Sequence, residues 1–336
     1  MVWLSPGMAQ QPAAAVVPAS AAPPVAAQDD QSSCWLRDAA APTPAVIYTL
    51  CQQGEIWLSN DGGKTWTMRD TGAKGRLRAL DFLDVNRGIA VGDDGLLLRT
   101  TDAGKSWKQV STGVKDHLLD VTFIGESGWS SGFEGVIIHS TDGGLTWTPQ
   151  KAGTTQAIEA LFFLDANMGW AVGWAGTILR TTDGGKTWQT IKTTQSSWSL
   201  TCVYFKDAKE GWISGFGGQI LHSRDGGLTW EAQKCPVQNW LTSIAQDASG
   251  RLWMTYDDGF LMSEDSGANW KMVDAGGHYF LGKLFSVDKS MWALGQSAIL
   301  RPSGNGWSRI ESLVPDSTAK LLQAASGAVA TVTPKP

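Results

Sequence analysis

Six aspartates recur at near-regular intervals along the chain, and carboxylates can act in pairs as general acid and base, as in glycoside hydrolysis. Five of them lie in the same eight-residue pattern, Ser/Thr-x-Asp-x-Gly-x-Thr/Ser-Trp, and the sixth lies in a weaker form of it. In a turn, an Asp side chain accepts hydrogen bonds from nearby backbone N–H groups, and Gly supplies a positive φ. We therefore assign a structural role to these aspartates, which are Asp61, Asp102, Asp142, Asp183, Asp225 and Asp265.

The eight-residue pattern, here called the Asp box, sets the period of the chain. It occurs at residues 59–66, 100–107, 140–147, 181–188 and 223–230, in weaker form at 263–270, and at 301–307 in a degenerate form that is one residue short and lacks the Asp. The closing Trp residues are 37 to 42 residues apart. That period is the length of one four-stranded propeller blade. The chain is therefore predicted to be an all-β, seven-bladed β-propeller.

The sequence between two boxes is consistent with four antiparallel strands per blade. Residues 157–188 contain the strand-like stretches AIEALFFLD, GWAVG, TILRT and KTWQTI, separated by turn residues. The Trp of each box is expected to pack between neighbouring blades, where its truncation would cost about 3–5 kcal/mol. Structural roles are accordingly assigned to Trp66, Trp107, Trp147, Trp188 and Trp230.

The first unit lacks an obvious inner strand, because the stretch RDAAAPTP at residues 37–44 contains two prolines. The C-terminal stretch 319–334 has no box and resembles an inner and a second strand. We therefore expect the ring to close by pairing of N- and C-terminal segments, with the C-terminus completing the first blade. Alternatively, residues 34–38 (CWLRD) pair outside the last blade.

The composition excludes some classes of partner and indicates where the folded domain begins. The formal net charge is −5 and the sequence contains no basic run, which argues against nucleic acid and anionic lipid as partners. No apolar stretch approaches the roughly 18 residues of a membrane-spanning helix, so no direct membrane insertion of the mature domain is expected. Residues 1–33 are predicted to be a signal-peptide remnant, with a cut after Ala9, and a disordered Ala/Pro-rich tether. Residues 34–336 form the propeller, which we expect to be a monomer.

The four cysteines leave two alternatives open. Cys34, Cys51, Cys202 and Cys235 show no CxxC spacing, which argues against zinc or thioredoxin chemistry. Cys34 could pair with Cys51 in a disulfide, or all four could be free thiols. No metal site and no cofactor are expected.

The detailed repeat resembles one propeller family in particular. LFFLDANMGWAVGWAGTILRTTDGGKTW (161–188) and LDFLDVNRGIAVGDDGLLLRTTDAGKSW (80–107) are similar to units of the photosystem II stability and assembly factor family. The resemblance covers about residues 35–310 and implies a non-catalytic scaffold that is exported to a periplasm or thylakoid-lumen-like compartment. It also implies a protein partner, namely a subunit of a membrane complex.

The candidate partner-binding surface is the face opposite the Asp boxes. The chain direction places there the turns between second and third strands, with the tips GDDG, GFEG, GWAG, GFGG and YDDG, and the connections between blades. Exposed aromatics beside carboxylates suit a protein or peptide partner. The predicted residues are Asp93, Asp94, Phe133, Glu134, Trp174, Phe216, Asp257, Asp258, Arg76, Arg78, Trp198 and Trp240, with His117, His278 and Tyr279 at the same end.

Carbohydrate chemistry is the alternative function. A sialidase would need an arginine cluster and a Tyr nucleophile supported by Glu, and no convincing set is present. Asp93 and Asp257 could in principle act as acid and base across the channel, and Trp174, Phe216 and Trp198 could form sugar platforms. We expect no catalytic residues. The residues that precede the boxes are mostly basic and are expected to contact neighbouring blades rather than form a free cationic ring; they include Arg99, His139, Arg180, His222 and Arg301.

Overall fold

The structure, a computed structural model, describes residues 36–51, 54–194, 198–295, 298–303 and 306–310. The chain separates into two units, residues 1–33 and residues 34–336. The first unit lies wholly outside the described residues, so the predicted signal remnant and tether are not described. In the described part, no helix is long and apolar enough to cross a membrane.

Seven four-stranded antiparallel sheets, each made of four consecutive strands, form the seven blades of a β-propeller. Blade 1 consists of β1 (Leu36–Ala40), β2 (Ile47–Cys51), β3 (Ile56–Ser59) and β4 (Thr67–Arg69). Blade 2 consists of β5 (Leu77–Phe82), β6 (Gly88–Gly92), β7 (Leu97–Thr100) and β8 (Lys108–Gln109). Blade 3 consists of β9 (Leu118–Ile124), β10 (Ser127–Gly132), β11 (Ile137–Ser140) and β12 (Thr148–Gln150).

The remaining blades follow the same order from the centre outwards. Blade 4 consists of β13 (Ile158–Phe163), β14 (Gly169–Gly173), β15 (Ile178–Thr181) and β16 (Gln189–Thr190), and blade 5 of β17 (Leu200–Phe205), β18 (Gly211–Gly215), β19 (Ile220–Ser223) and β20 (Glu231–Gln233). Blade 6 consists of β21 (Leu241–Gln246), β22 (Leu252–Tyr256), β23 (Gly259–Ser263) and β24 (Lys271–Asp274), and blade 7 of β25 (Leu281–Val287), β26 (Ser290–Gly295), β27 (Ala298–Ser303) and β28 (Gly306–Ile310).

The core is divided among seven seams, where one blade packs on the next. The second strand of each blade lies between the first and third strands of its own sheet and is almost fully buried. At two seams, a Trp of this strand stacks on a Phe from the next blade's inner strand: Trp129 on Phe163 at 3.6 Å and Trp170 on Phe205 at 3.5 Å between ring centroids. The Trp of one box packs against each seam, and these residues are Trp66, Trp107, Trp147, Trp188, Trp230, Trp270 and Trp307.

The first blade corrects the prediction about ring closure. Leu36–Ala40 forms its inner strand and pairs with β2, with Ala40 opposite Tyr48. Pro42 and Pro44 follow the end of this strand and therefore do not interrupt its hydrogen bonds. The first blade thus has four strands without the C-terminus, and residues 36–38 belong to this blade rather than to a strand outside the last blade. The predicted C-terminal strands at 319–334 lie outside the described residues.

Each of the six boxes that contain an Asp forms a closed hydrogen-bonded turn. In the third blade, one oxygen of Asp142 accepts from Thr146 N–H at 2.9 Å, and the other accepts from Thr146 Oγ1 at 2.6 Å. Ser140 Oγ donates to the same carboxylate at 2.8 Å. Burial opposes the effect of these donors, but on balance they lower the pKa of Asp142 to about 2. An aspartate held in this way is a turn element, with its lone pairs already occupied.

Two basic residues that precede boxes join blades together. Arg99 Nε donates to the Gly143 carbonyl in the next box at 2.9 Å, and Arg180 Nε donates to the Gly226 carbonyl at 2.8 Å. His222 stacks on Trp212 and contacts Glu210 at 3.0 Å. The two arginines thus contact the next blade, as expected, whereas His222 contacts residues of its own blade.

The cysteines of the described part are in two states. Cys51 is disulfide-bonded, whereas Cys202 and Cys235 are free. The remaining cysteine, Cys34, lies outside the described residues. Four free thiols, the second alternative left open by the sequence, are therefore excluded.

Candidate functional site

One end of the propeller is formed by the turns between second and third strands and by the connections between blades. We call this end the loop face. In blades 2 to 5 the turn is a single 3-10 turn: Asp93–Gly95, Phe133–Gly135, Trp174–Gly176 and Phe216–Gly218. In each, the N–H of the first turn residue donates to a carbonyl of the connection that enters the same blade, as Trp174 does to Ala157 at 2.9 Å. The first turn residue consequently takes an equivalent place in all four blades.

In blades 2 to 5, the glycine that ends the second strand makes this arrangement possible. A Cβ on Gly173 would lie 1.9 Å from the Ala157 carbonyl oxygen, which is too close for any side chain. The φ of Gly173 is −174°, so close approach rather than backbone conformation requires the glycine. Gly92 and Gly132 meet equivalent carbonyl oxygens at 2.1 and 2.0 Å.

Charged groups cluster on blades 2 and 3 of the loop face. Arg78 Nε forms an ion pair with Asp93, and the Arg78 guanidinium lies 5.9 Å from the centre of the Phe133 ring. Asp94 N–H donates to His117 Nδ1 at 3.0 Å, and His117 meets Phe133 edge to face at 5.4 Å. A cation between a carboxylate and an aromatic face is held in one position, so this end of the face is ordered before any partner arrives.

Aromatic side chains continue from this cluster across blades 3 to 6. Phe133 contacts Trp174 at 5.7 Å between centroids, and the Trp174 indole N–H donates to Glu159 at the channel mouth. Further along, Trp198 stacks on Phe216 at 5.5 Å, and Phe216 meets Trp240 at 6.0 Å. The last four of these rings are between 44% and 54% exposed, although each could bury a large apolar area. We call Phe133, Trp174, Trp198, Phe216 and Trp240 the aromatic row.

Acidic residues lie beyond the far end of the aromatic row. Asn239 Nδ2 donates to Asp257 at 3.2 Å, and His278 Nδ1 lies 3.1 Å from Asp258. Tyr279 is on the same connection as His278, and its hydroxyl donates to the Gly276 carbonyl at 3.5 Å. The structure thus brings the sequence-predicted residues to one face, with Arg76 and Glu134 at the blade 2 and 3 end.

The sequence analysis missed the centre of the propeller. The inner strands surround a channel with a cavity of about 480 Å³. Three aspartates, Asp38, Asp81 and Asp120, line it together with the ammonium of Lys283. Arg37, also missed, lies among the lining residues; burial lowers its pKa, and the positive charges of Arg78 and Arg76 lower it further. Alignment of the repeats on the first buried Leu or Ile of each inner strand would have found them, since Asp38, Asp120 and Lys283 occupy the same position.

The channel residues join inner strands that share no backbone hydrogen bonds with each other. Each of the seven inner strands has a register shift directly after its first residue, as between Leu77 and Ala79, where the strand bulges. Neighbouring side chains satisfy backbone N–H groups beyond the bulge. Asp38 accepts from Leu80 N–H at 2.9 Å, and Asp120 accepts from Leu161 N–H at 2.8 Å. Ser243 Oγ accepts from Leu284 N–H at 3.1 Å.

Burial and neighbouring charges shift the pKa values of the titratable side chains in the channel. Burial raises the pKa of Asp81 to about 7, although two backbone N–H groups donate to it. Burial likewise raises the pKa of Asp120 to about 6, against the opposing effect of Lys283. Burial alone would lower the pKa of Lys283, but the surrounding carboxylates, Asp38 first, outweigh it and raise that pKa. The channel therefore holds an ammonium and carboxylates that titrate near neutral pH.

Among the described residues, no three His, Cys, Asp or Glu side chains converge in a way that could hold a metal ion. The loop face offers rings with exposed faces, a fixed guanidinium and flanking carboxylates. Chemically, that set can bind a peptide through stacking, cation–π contacts and ion pairs.

Comparison with known proteins places the chain in a family. Residues 72–155 and 146–242 both match the model of the family described as photosynthesis system II assembly factor YCF48. Together the matches cover residues 72–242, which are 171 of the 336 residues. The chain belongs to this family. Within it, a stretch of 76 residues is 34% identical to the photosystem II assembly lipoprotein Ycf48 of Synechocystis sp.. That stretch is 22% of each chain, so the match spans about a fifth of the relative.

Two solved YCF48 structures share the propeller fold. YCF48 from Cyanidioschyzon merolae superposes with a TM-score of 0.66 at 19% identity, over 79% of this chain and 94% of that one. YCF48 bound to D1 peptide superposes with a TM-score of 0.59 at 21% identity, over 71% of this chain and 82% of that one. At these identities the likeness shows the shared fold alone.

Proposed function

We propose that this protein is a non-catalytic scaffold whose loop face holds a segment of a membrane-complex subunit during assembly. The observation that carries the proposal is the aromatic row, which leaves several large rings on one face half-exposed and fixed in position. Large aromatics that are ordered before binding lose little entropy when a partner covers them, which makes them typical binding hot spots. Membership of an assembly-factor family and the D1 peptide bound to one YCF48 support a peptide segment as ligand.

The charged end would orient the bound segment. Arg78 is held by Asp93 and Phe133, while Asp94 and Glu134 point to solvent beside it. Charged groups at the rim of an interface mainly steer the partner and fix its register, whereas the central aromatics supply affinity. The segment would therefore cross the aromatic row with its basic residues towards the exposed carboxylates at either end. These are Asp94 and Glu134 on blades 2 and 3, and Asp257 and Asp258 on blade 6.

The proposal assigns no catalytic residue. Asp93 and Asp257, the pair that could have served as acid and base, are engaged by Arg78 and by Asn239. Glu159 accepts from the Trp174 indole. A hydrolysis screen over polysaccharides and sialosides tests this part of the proposal, and turnover that is lost in Asp93→Asn would contradict it.

The partner test is a pull-down from detergent-solubilised membranes of the source organism. The probe is the wild-type chain beside a double variant, Phe133→Ala with Trp174→Ala. The matched control is Leu145→Ala with Leu228→Ala, which removes two residues about as exposed as Trp174 from the opposite, box-bearing face. We expect one defined membrane subunit on the wild type and the control, and its loss from the loop-face variant. Equal retention by both variants would overturn the proposal.

We also propose that the propeller acts outside the cytoplasm, as a monomer, with residues 1–33 as signal remnant and tether. Disulfides persist in oxidising compartments, and Cys51 is disulfide-bonded. A fusion of alkaline phosphatase to the chain tests export, because that enzyme folds only where disulfides form. Light scattering after gel filtration tests the monomer, and a mass of two chains would contradict it.

A further inference from the structure

Three rings of the aromatic row form a separate cluster on blades 5 and 6. Trp198 comes from the connection into blade 5, Phe216 from the turn of blade 5, and Trp240 from the connection into blade 6. Their centroids are 5.5 and 6.0 Å apart, and 54%, 45% and 46% of these residues are exposed. We call these three residues the blade 5 cluster.

Backbone hydrogen bonds hold the blade 5 cluster rigid. Phe216 N–H donates to the Ser199 carbonyl at 3.0 Å, and the Trp198 carbonyl accepts from Gly176 at 2.9 Å. Next to Trp240, the Asn239 carbonyl accepts from Gly218 at 2.8 Å. Gly218 is required at that point, since its φ is +74° and a Cβ would lie 2.0 Å from the Val237 oxygen. The three rings are thus ordered in the free protein.

The groove beside the cluster has no charge. It has a volume of about 450 Å³ and is lined by Trp198, Phe216, Gly217, Gln219, Ile220, Ala232, Gln233 and Gln238. Gln233 is already engaged with His222 and Trp270. Beyond Trp240, the first charged groups on the adjoining turn are Asp257 and Asp258. A complementary ligand is therefore apolar and uncharged over the rings and basic at its Asp257 end.

We infer that the blade 5 cluster is a docking site for a proline-rich peptide segment in the polyproline II conformation, with a basic residue at the end that meets Asp257. Segments of this kind dock in aromatic-lined grooves, and Trp198 and Phe216 line such a groove here, with no charged side chain in its wall. Proline rings pack on exposed aromatic faces, and the preformed conformation loses little entropy on binding. This inference rests on the proposed function, since it specifies the chemistry of the segment that one part of the loop face accepts.

The test is isothermal titration of the full chain with a decaproline peptide that ends in lysine. A glycine–serine peptide of equal length with the same lysine controls for charge, and cellohexaose tests a sugar platform instead. We expect the decaproline peptide alone to bind. Trp240→Ala should weaken that binding by at least about tenfold, the usual effect of losing an aromatic hot spot. Leu145→Ala, on the opposite face, should bind as the wild type does.

Further comparisons make each outcome decisive. Equal binding of the glycine–serine peptide, binding of cellohexaose alone, or no binding of any probe would overturn the inference. The thermal transition of Trp240→Ala shows whether this variant is folded. If the folded variant binds decaproline as tightly as the wild type does, the site lies elsewhere and the inference is overturned. The wild type could fail to bind decaproline and still retain a membrane subunit in the pull-down, with that subunit lost from the variant Phe133→Ala with Trp174→Ala. In that case the inference fails while the proposed function stands.

Discussion

The ammonium of Lys283 in the last blade forms an ion pair with the carboxylate of Asp38 in the first. The other oxygen of Asp38 accepts from Leu80 N–H in the second blade, so one side chain connects three consecutive blades. Apolar packing surrounds this link, with Leu36 and Ala39 of β1 against Phe285 and Leu294 of blade 7. In the described residues, side chains rather than a shared sheet join the first blade to the last.

Substitution of Lys283 should destabilise the contact between blades 7 and 1. Lys283→Met leaves Asp38 and its neighbouring carboxylates without their counter-ion, and loss of one partner of a buried pair is strongly destabilising. About a third of the Lys283 side chain is exposed, so we expect a loss of about 2–4 kcal/mol in the free energy of unfolding, measured by urea denaturation. Lys271→Met, which breaks an exposed pair with Glu264, should cost less than about 1 kcal/mol. Equal effects of the two substitutions would show that the channel ion pair has no special weight.

The Trp residues fall into two classes with different expected effects. Trp147 is 7% exposed and packs in the seam between blades 2 and 3, so Trp147→Ala should cost about 3–5 kcal/mol. Trp240→Ala on the loop face should cost roughly 0.5 kcal/mol or less, because the ring is already half in water. Thermal unfolding followed by circular dichroism measures both. A large loss for Trp240→Ala would mean that the exposed ring supports the fold rather than a partner.

The glycines at the ends of the second strands should be intolerant of any side chain. Gly173→Ala would place a methyl group against the Ala157 carbonyl, so we expect a loss of about 2–3 kcal/mol. Gly153→Ala is the matched control, because Gly153 has φ +75° but nothing within 4 Å of the added Cβ. Its cost should be about 1 kcal/mol, from backbone conformation alone. Urea midpoints in the reverse order would exclude close approach as the reason for Gly173.

The channel carboxylates should make the protein more stable as the pH falls through neutrality. The pKa values of Asp81 and Asp120 are raised to about 7 and about 6, so the folded state holds their protons more tightly than the unfolded state does. Stability from this source is complete below about pH 4 and is lost as the pH rises through about 7. Asp38 and Lys283 face the same channel, and their charges also act on the pKa values of Asp81 and Asp120.

Thermal unfolding at pH 5 and pH 8 measures this dependence. The wild-type Tm should be higher at pH 5, and the gain should be smaller by roughly 2–4 °C in Asp81→Asn, which has no proton to take up at that position. The aspartates of the boxes have lowered pKa values and act in the opposite direction, at more acidic pH. An equal gain in both proteins would remove Asp81 from the explanation.

The features that recur in every repeat could be predicted from the sequence. Boxes, blade number and the seam position of residues such as Trp147 all follow from one period, because a residue that recurs in every unit has the same environment in every unit. The loop-face residues could be named for the same reason, since chain direction fixes which turns share an end. Their role in binding a partner stays a prediction.

What the sequence did not show depends on differences between units. The inner-strand position of Asp38, Asp120 and Lys283 holds Ala, Cys or Ser in the other four blades, and the position of Arg37 varies as widely, so the Asp-box period does not draw attention to these charges. The inner strand of the first blade is hard to recognise in the sequence because Pro42 and Pro44 follow it within four residues. Only the end of β1 at Ala40 separates the strand from the prolines.

The construction of each sheet from four consecutive strands has a consequence for how such a chain can change. Cutting the chain between two blades and joining it elsewhere would sever no sheet, so a circular permutant beginning at any blade keeps every backbone ladder. The side chains that cross the seams, such as Asp38 towards blades 2 and 7, would keep their neighbours as well. Blade order around the ring is thereby independent of where the gene begins.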